Sequence, residues 1–479
     1  MKLRLFFIFS LFLSGIFFSI FFINQHFLSF LISSFHLNLN LEFWGLGLQH
    51  LGIELTVLSS LFYLYFILEN PKKYILFSVS ASVLFFVFLF LNSANIPIMD
   101  DFSMLDFINH YSTSETWSEK FSLITSFYSG FETRPVVIRL IYILFFKITN
   151  EINIKTIVLV CNVSLLLILI LLALSFWQNK LKWKIIFLVS IFLLQFAFYD
   201  SIVYSTPAID YQFAVLFFMI TLFIIQKKTW HFQLGAFACS LLSAGSLGNG
   251  IFVFPIVLLY LFIEKKWTWF SIWFIGFGLF SAFYFRGFAI NKLSTGFFPF
   301  SFAEYFKYSC CFLGSSFQFF YYLQVPFAIG LLLWILFLTL TLKKYYKTNF
   351  LVYGLILFLL LSSAANAVFR LNAGIETAIT NRYAFFSVVA VAASLTAIYE
   401  ITGEKTQRFI IPALFSIGIV YHLASGLFFF PEVPLRKQRL EKFISEIKNS
   451  KPVSPFFPII PSNGEAIVRE SIKNKIYFP

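Results

Sequence analysis

Apolar runs long enough to cross a bilayer recur along the chain, separated by short polar stretches, from the N-terminus to about residue 429. A spanning helix needs roughly 20 mainly apolar residues. The runs predict about thirteen spans, near residues 5–23, 50–69, 74–92, 156–176, 185–199, 211–226, 232–247, 250–263, 268–286, 319–341, 350–369, 384–400 and 409–429. The expected architecture is therefore all-α: a polytopic helical membrane domain over 1–429 and a small tail over 430–479. The long segment 93–155 breaks the rhythm. Its apolar stretch TRPVVIRLIYILFFK is too short to span easily, and spanning would put the later Lys-rich loops on the wrong side, so it is expected to lie in the membrane interface. In that position Arg139 and Lys147 are expected to snorkel to the headgroups as anchors.

Lysine and arginine orient the spans. The basic loops at Lys72–Lys73, Lys180–Lys184, Lys227–Lys228, Lys265–Lys266, Lys343–Lys347 and Lys405–Arg408 alternate with basic-poor ones, which places the former in the cytoplasm. Met1-Lys2-Leu3-Arg4 opens an apolar run with no small-residue cleavage site after it, so a retained anchor with a cytoplasmic N-terminus is expected. The expected location is the bacterial inner (cytoplasmic) membrane, with segment 93–155 and the tail extracytoplasmic. The composition agrees, with 59% hydrophobic residues and a mean hydropathy of +0.85. The formal charge of +13 follows largely from the topological bias and suits contact with anionic membrane lipids; it gives no reason to expect nucleic acid. The 72 phenylalanines read as lipid-facing substitutes for leucine.

The chain has only 22 acidic residues, and two of them, Asp100 and Asp101, stand side by side in NIPIMDDFSML just after a span. Within the spans ionisable groups are nearly absent, Glu54 and His422 being the main exceptions, whereas Asp200, Asp210, Arg370, Glu376 and Arg382 gather at their expected outer ends. That distribution favours chemistry at the outer interface. Asp200, Tyr204, Asp210 and Tyr211 in DSIVYSTPAIDYQ either bind sugar hydroxyls or a metal, or cap two helix ends, Asp210 standing at a helix start. In RLNAGIETAITNRY, Arg370, Glu376, Arg382 and Tyr383 face the same side, and Arg134 in FETRP opens the interfacial helix. SLGNGIFVFP, with Asn249, predicts a turn between short spans. Cys310 and Cys311 are read as two free thiols or part of an interface helix, and no cysteine or histidine spacing marks a zinc site.

PIMDDF in the first large outer loop, FETRPVVIRLIYIL later in that loop, SLGNGIF in mid-chain and the late Arg-Tyr together resemble the GT-C superfamily of polytopic glycosyltransferases, in particular relatives of protein mannosyltransferases and aminoarabinose transferases. Thr133 stands where such relatives commonly carry histidine. The resemblance implies an inverting transfer of a sugar from a polyprenyl-phosphate donor to a glycan, lipid or protein acceptor. Asp100 or Asp101 would be the general base. Arg134 and Arg382, with Arg370 and Tyr383, would hold the donor phosphate, and a divalent cation is optional. The competing expectations are a lipid-linked glycan flippase or transporter, an O-antigen-type polymerase or ligase, and a structural membrane protein whose aspartates merely cap a helix.

Overall fold

A computed structural model describes residues 43–54, 72–127, 134–175, 182–227, 229–287, 300–320, 322–449 and 460–479. The predicted span at 5–23, most of that at 50–69 and most of the Pro-rich stretch of the tail lie outside the described residues. Among these residues the protein is helical, with no strand and one isolated bridge, between Ile152 and Tyr477. Lipid offers no partner for backbone N–H and C=O groups, so apolar runs of this length close their hydrogen bonds internally.

Among the described residues, seven helical stretches are long and apolar enough to cross a membrane: Tyr74–Asn92, Ile154–Ser175, Ser205–Ile224, Gln324–Leu342, Phe350–Ala373, Ala384–Ile401 and Lys405–Lys448. Trp183–Leu193 and Gly248–Ile263 are apolar but shorter. The most apolar window is 78% buried in Ala384–Ile401 and 67% buried in Phe350–Ala373, against 22% in Gln324–Leu342 and 28% in Tyr74–Asn92, so the first pair forms the centre and the second faces outward. The central pair also distinguishes the two ends of the bundle. At one end Tyr345 and Asn349 bond Glu400; at the other lie Arg370 and the turn with Arg382 that leads into Ala384.

Segment 93–155 holds three helices, α1 (Asp100–Thr113), α2 (Trp117–Thr125) and α3 (Val136–Thr149). The 14 residues of α3 rise about 21 Å, short of a bilayer core of about 30 Å. Arg139 corrects the expectation of a headgroup anchor. It is only 5% exposed, and its guanidinium donates to the Ser126 carbonyl at 2.6 Å and to the Ile124 carbonyl at 3.1 Å, tying α3 to the end of α2. Lys147 is exposed.

The tail folds back onto this segment. α4 (Glu432–Lys448) follows directly on the helix Glu404–Phe429, and α5 (Gly464–Lys473) packs against α1, where Asn109 donates to Ser471 Oγ at 2.9 Å. Beyond α5, Ile152 N–H bonds the Ile476 carbonyl at 2.7 Å and Asn95 Nδ2 bonds the Phe478 carbonyl at 2.7 Å. Cys310 and Cys311 are free thiols, buried in the helix Phe302–Leu313.

Candidate functional site

The two adjacent aspartates have different surroundings. Asp101 is fully buried, and its Oδ1 accepts from the Ser205 hydroxyl at 2.7 Å, the Thr206 amide at 2.9 Å and the Thr206 hydroxyl at 2.5 Å. Its Oδ2 accepts from the Ile98 amide at 3.3 Å, and Tyr142 of α3 bonds Ser205 from behind. Burial raises the pKa of this carboxyl, opposed by the bonds from Ser205, Thr206 and Ile98. Asp101 is thus a buried tether between α1 and the turn at Ser205, with its acceptor capacity already used.

Asp100 is partly buried and accepts no side-chain hydrogen bond among the described residues. Burial raises its pKa, while the charges of Arg382 and then Arg370 pull it down, so both guanidinium groups bear on this carboxylate. The preceding residue, Met99, has φ 48°, in the left-handed region that non-glycine residues seldom occupy. Backbone held there costs on the order of 1–3 kcal/mol and is found where surrounding structure dictates the geometry.

Arg382 sits at the other side of the group. Tyr211 acts most strongly on it and, with Tyr383, Asp100 and Asp200, pushes its pKa above the ordinary value against the opposing effect of burial. Its guanidinium lies 5.3 Å from the centre of the Tyr383 ring, and its carbonyl accepts from Ser201 Oγ at 2.8 Å, which pins the turn. Arg370, Tyr383, Tyr211 and Asn249 line a cavity of about 280 Å³, together with Tyr284, Asn366 and several aromatic rings. The turn predicted in SLGNGIFVFP is present as a tight helical turn, Gly248–Phe252. Gly250 is required there, because a Cβ would stand 1.9 Å from the Ser243 carbonyl oxygen.

Asp210 lies within electrostatic reach of both Asp100 and Asp101. It caps no helix, contrary to the simpler expectation: it falls inside the wide turn Ala208–Gln212, and its Oδ1 is buried without a hydrogen-bond partner. The Tyr284 hydroxyl is likewise buried and unpartnered. Both polar atoms are free to accept a partner at the site. Asp100 and Asp210 are the oxygen donors a divalent ion would meet, although no group of three His, Cys, Asp or Glu is arranged as metal ligands among the described residues.

Other expected site residues are placed elsewhere. Arg134 donates Nε to the Tyr284 carbonyl at 2.9 Å, one terminal nitrogen to the Thr125 carbonyl at 2.6 Å and the other to the Arg286 carbonyl, with its charge over the Phe127 ring. Each of its three nitrogens donates to a backbone carbonyl, so it fixes the cavity wall at Tyr284, and no bond joins it to the Asp pair. Glu376 is exposed. Asp200 and Tyr204 both bond Arg436 of α4, the ion pair to Asp200 measuring 2.6 Å, with the guanidinium about 5 Å from the Tyr199 and Tyr204 rings. Arg436 was not anticipated. Its stretch, LRKQRLEKF, carries an ordinary helical charge pattern in which nothing separates Arg436 from its neighbours. Compared with protein-family models, curated proteins and solved structures, the chain matches none.

Proposed function

We propose that the chain is an inverting glycosyltransferase of the GT-C type, taking a sugar from a polyprenyl-phosphate donor at the extracytoplasmic face of the bacterial inner membrane. The observation that carries this reading is one partly buried carboxylate, Asp100, under the charges of two guanidinium groups, Arg382 and Arg370, the second of which lines a cavity at a helix end. The acceptor hydroxyl oxygen attacks the anomeric carbon while the bond from that carbon to the phosphate oxygen breaks. Its proton passes to Asp100, and the electron pair of the broken bond leaves on the phosphate, which the arginines hold. A positioned base contributes about 10²–10⁴ in rate, and guanidinium groups grip phosphate oxygens bidentately without losing charge. Asp101 holds Asp100 in place. Asn249, Tyr211 and Tyr383 offer hydrogen bonds and ring faces to a sugar in the cavity.

The test uses purified protein in lipid nanodiscs with a panel of labelled polyprenyl-phosphate hexoses and pentoses and a cell-envelope acceptor extract. Transfer by the wild type that disappears in Asp100→Asn supports the reading; undiminished transfer by that variant removes Asp100 from the chemistry. A second reading, a carrier of lipid-linked glycans, draws on the buried His50 and the partly buried Glu54 and His422. Flipping of a fluorescent lipid-linked sugar in sealed vesicles without any transfer would favour it.

A further inference from the structure

Among the described residues, three ionisable groups lie together in the apolar layer, apart from Asp210 and Glu400. His50 and Glu54 lie one turn apart in the helical residues 43–54, and His422 projects from the helix Glu404–Phe429. Glu54 Oε1 stands 3.0 Å from His50 Nε2 and 3.3 Å from His422 Nε2. The other nitrogen of His422, Nδ1, lies 3.0 Å from the Ile191 carbonyl oxygen, which only accepts, so Nδ1 carries a hydrogen. A neutral imidazole has one N–H. His422 Nε2 therefore meets the Glu54 oxygen without lone-pair repulsion only if a further proton lies between them. His50 Nε2 faces the same oxygen at 3.0 Å without hydrogen-bond alignment, its ring held by stacking on Phe430 at 3.9 Å with Phe88 and Phe196 edge-on. The Glu54–His422 contact thus holds one proton more than a carboxylate and a neutral imidazole.

The surroundings are shaped to the cluster. A Cβ on Gly426 would stand 2.7 Å from Glu54 Oε2 and 2.8 Å from His50 Cδ2, so the glycine makes the room. Glu54 Oε2 is buried with no hydrogen-bond partner. Glu54 and His422 line a cavity of about 70 Å³ whose other walls include Phe77, Phe85 and Phe88. A water needs about 10–15 Å³ of such space and polar partners, so the cavity has the volume for water, with Glu54 and His422 as its polar wall.

We propose that His50, Glu54 and His422 form a proton-binding site inside the apolar layer, taking up and releasing one proton per chain through water in the cavity beside Glu54. Releasing the proton leaves a net negative charge among phenylalanines, which is costly. Occupancy is thereby coupled to docking of residues 43–54 on the helix Glu404–Phe429. The elements packed around the cluster present Phe77, Phe85 and Phe88 from Lys72–Asn92 and Phe187, Ile191 and Phe196 from the Lys182–Leu193 region, and no further charge acts on Glu54 or His422 among the described residues. The site shares no residue with the proposed transferase site.

The experiment measures proton uptake by the full chain in nanodiscs, in weakly buffered solution with an indicator dye, on a step from mildly alkaline to mildly acidic pH. Glu54→Gln and His422→Gln should each take up one proton fewer per chain than the wild type. Equal uptake by wild type and a folded Glu54→Gln variant overturns the proposal. If neither variant folds, Gly426→Ala crowds Glu54 and His50 without removing a titratable group: a displaced uptake midpoint sustains the site, and an unmoved midpoint overturns it.

Discussion

Thr206 donates to Asp101 Oδ1 through both its amide, at 2.9 Å, and its hydroxyl, at 2.5 Å, while the preceding carboxylate, Asp100, comes under the charges of Arg382 and Arg370. Asp101→Ala should therefore act on stability first. It strands the amide and the hydroxyl of Thr206 in a buried place, at about 1–3 kcal/mol for each unsatisfied group, while Ser205 keeps Tyr142. The expected outcome is a loss of about 3 kcal/mol or more, read as a fall in melting temperature in detergent, with Asp101→Asn milder because one oxygen still accepts.

Asp100→Asn should behave in the opposite way. Burial raises the pKa of Asp100, so its folded form binds a proton more tightly than the unfolded chain does; its contribution to stability is present below the ordinary carboxylate range and is lost as pH rises through the raised value. At neutral pH the neutral amide is thus expected to melt slightly higher than the wild type while transfer is abolished. Activity of the wild type should fall as pH drops through the same raised value, since the base acts ionised. A variant both less stable and fully active would contradict both expectations.

Arg382→Ala should weaken donor binding tenfold or more with little change in melting temperature, measured by titration with a short polyprenyl phosphate. Unchanged affinity would reduce Arg382 to an anchor of its own turn.

Arg134→Ala should do the reverse, losing about 2–3 kcal/mol of stability at about 1 kcal/mol for each of three carbonyl bonds. Arg134→Lys is expected to recover little, because an ammonium lacks the planar fork that reaches three carbonyls. Full recovery by lysine would show that charge, and not geometry, is what this position supplies.

Removing Arg436 leaves Asp200 without its partner in a mostly buried setting. Arg436→Ala should cost about 2 kcal/mol, below the 3–5 kcal/mol of a fully buried pair, and should make the chain easier to cleave between the helices Glu404–Phe429 and Glu432–Lys448. Protection equal to the wild type in limited proteolysis would show that the tail is held by its apolar contacts alone.

The helices were legible because period and apolar length are written directly in residues such as those of Phe350–Arg370, and in lipid that pattern leaves few alternatives. The division of labour between Asp100 and Asp101 was not, since it depends on Ser205 and Thr206 in a distant turn. Arg134 and Arg139 were misplaced for a related reason. Their partners are backbone carbonyls, which every residue has and no motif marks. Arg382 stood out in the sequence only by its place beside Tyr383 at a helix start, and from that place its charge acts on Asp100.

The ion pair between Asp200 and Arg436 joins an early part of the chain to a late one. At roughly 5–20 residues per second, a ribosome needs on the order of ten seconds or more to deliver Arg436 after Asp200 has emerged. During that interval the helices between them must insert with Asp200 uncompensated, so the carboxylate favours the watery side of the membrane throughout. The last helices then arrive as a clasp closed after insertion, and a stalled nascent chain is expected to hold its helices in place while the region around Asp100 stays open.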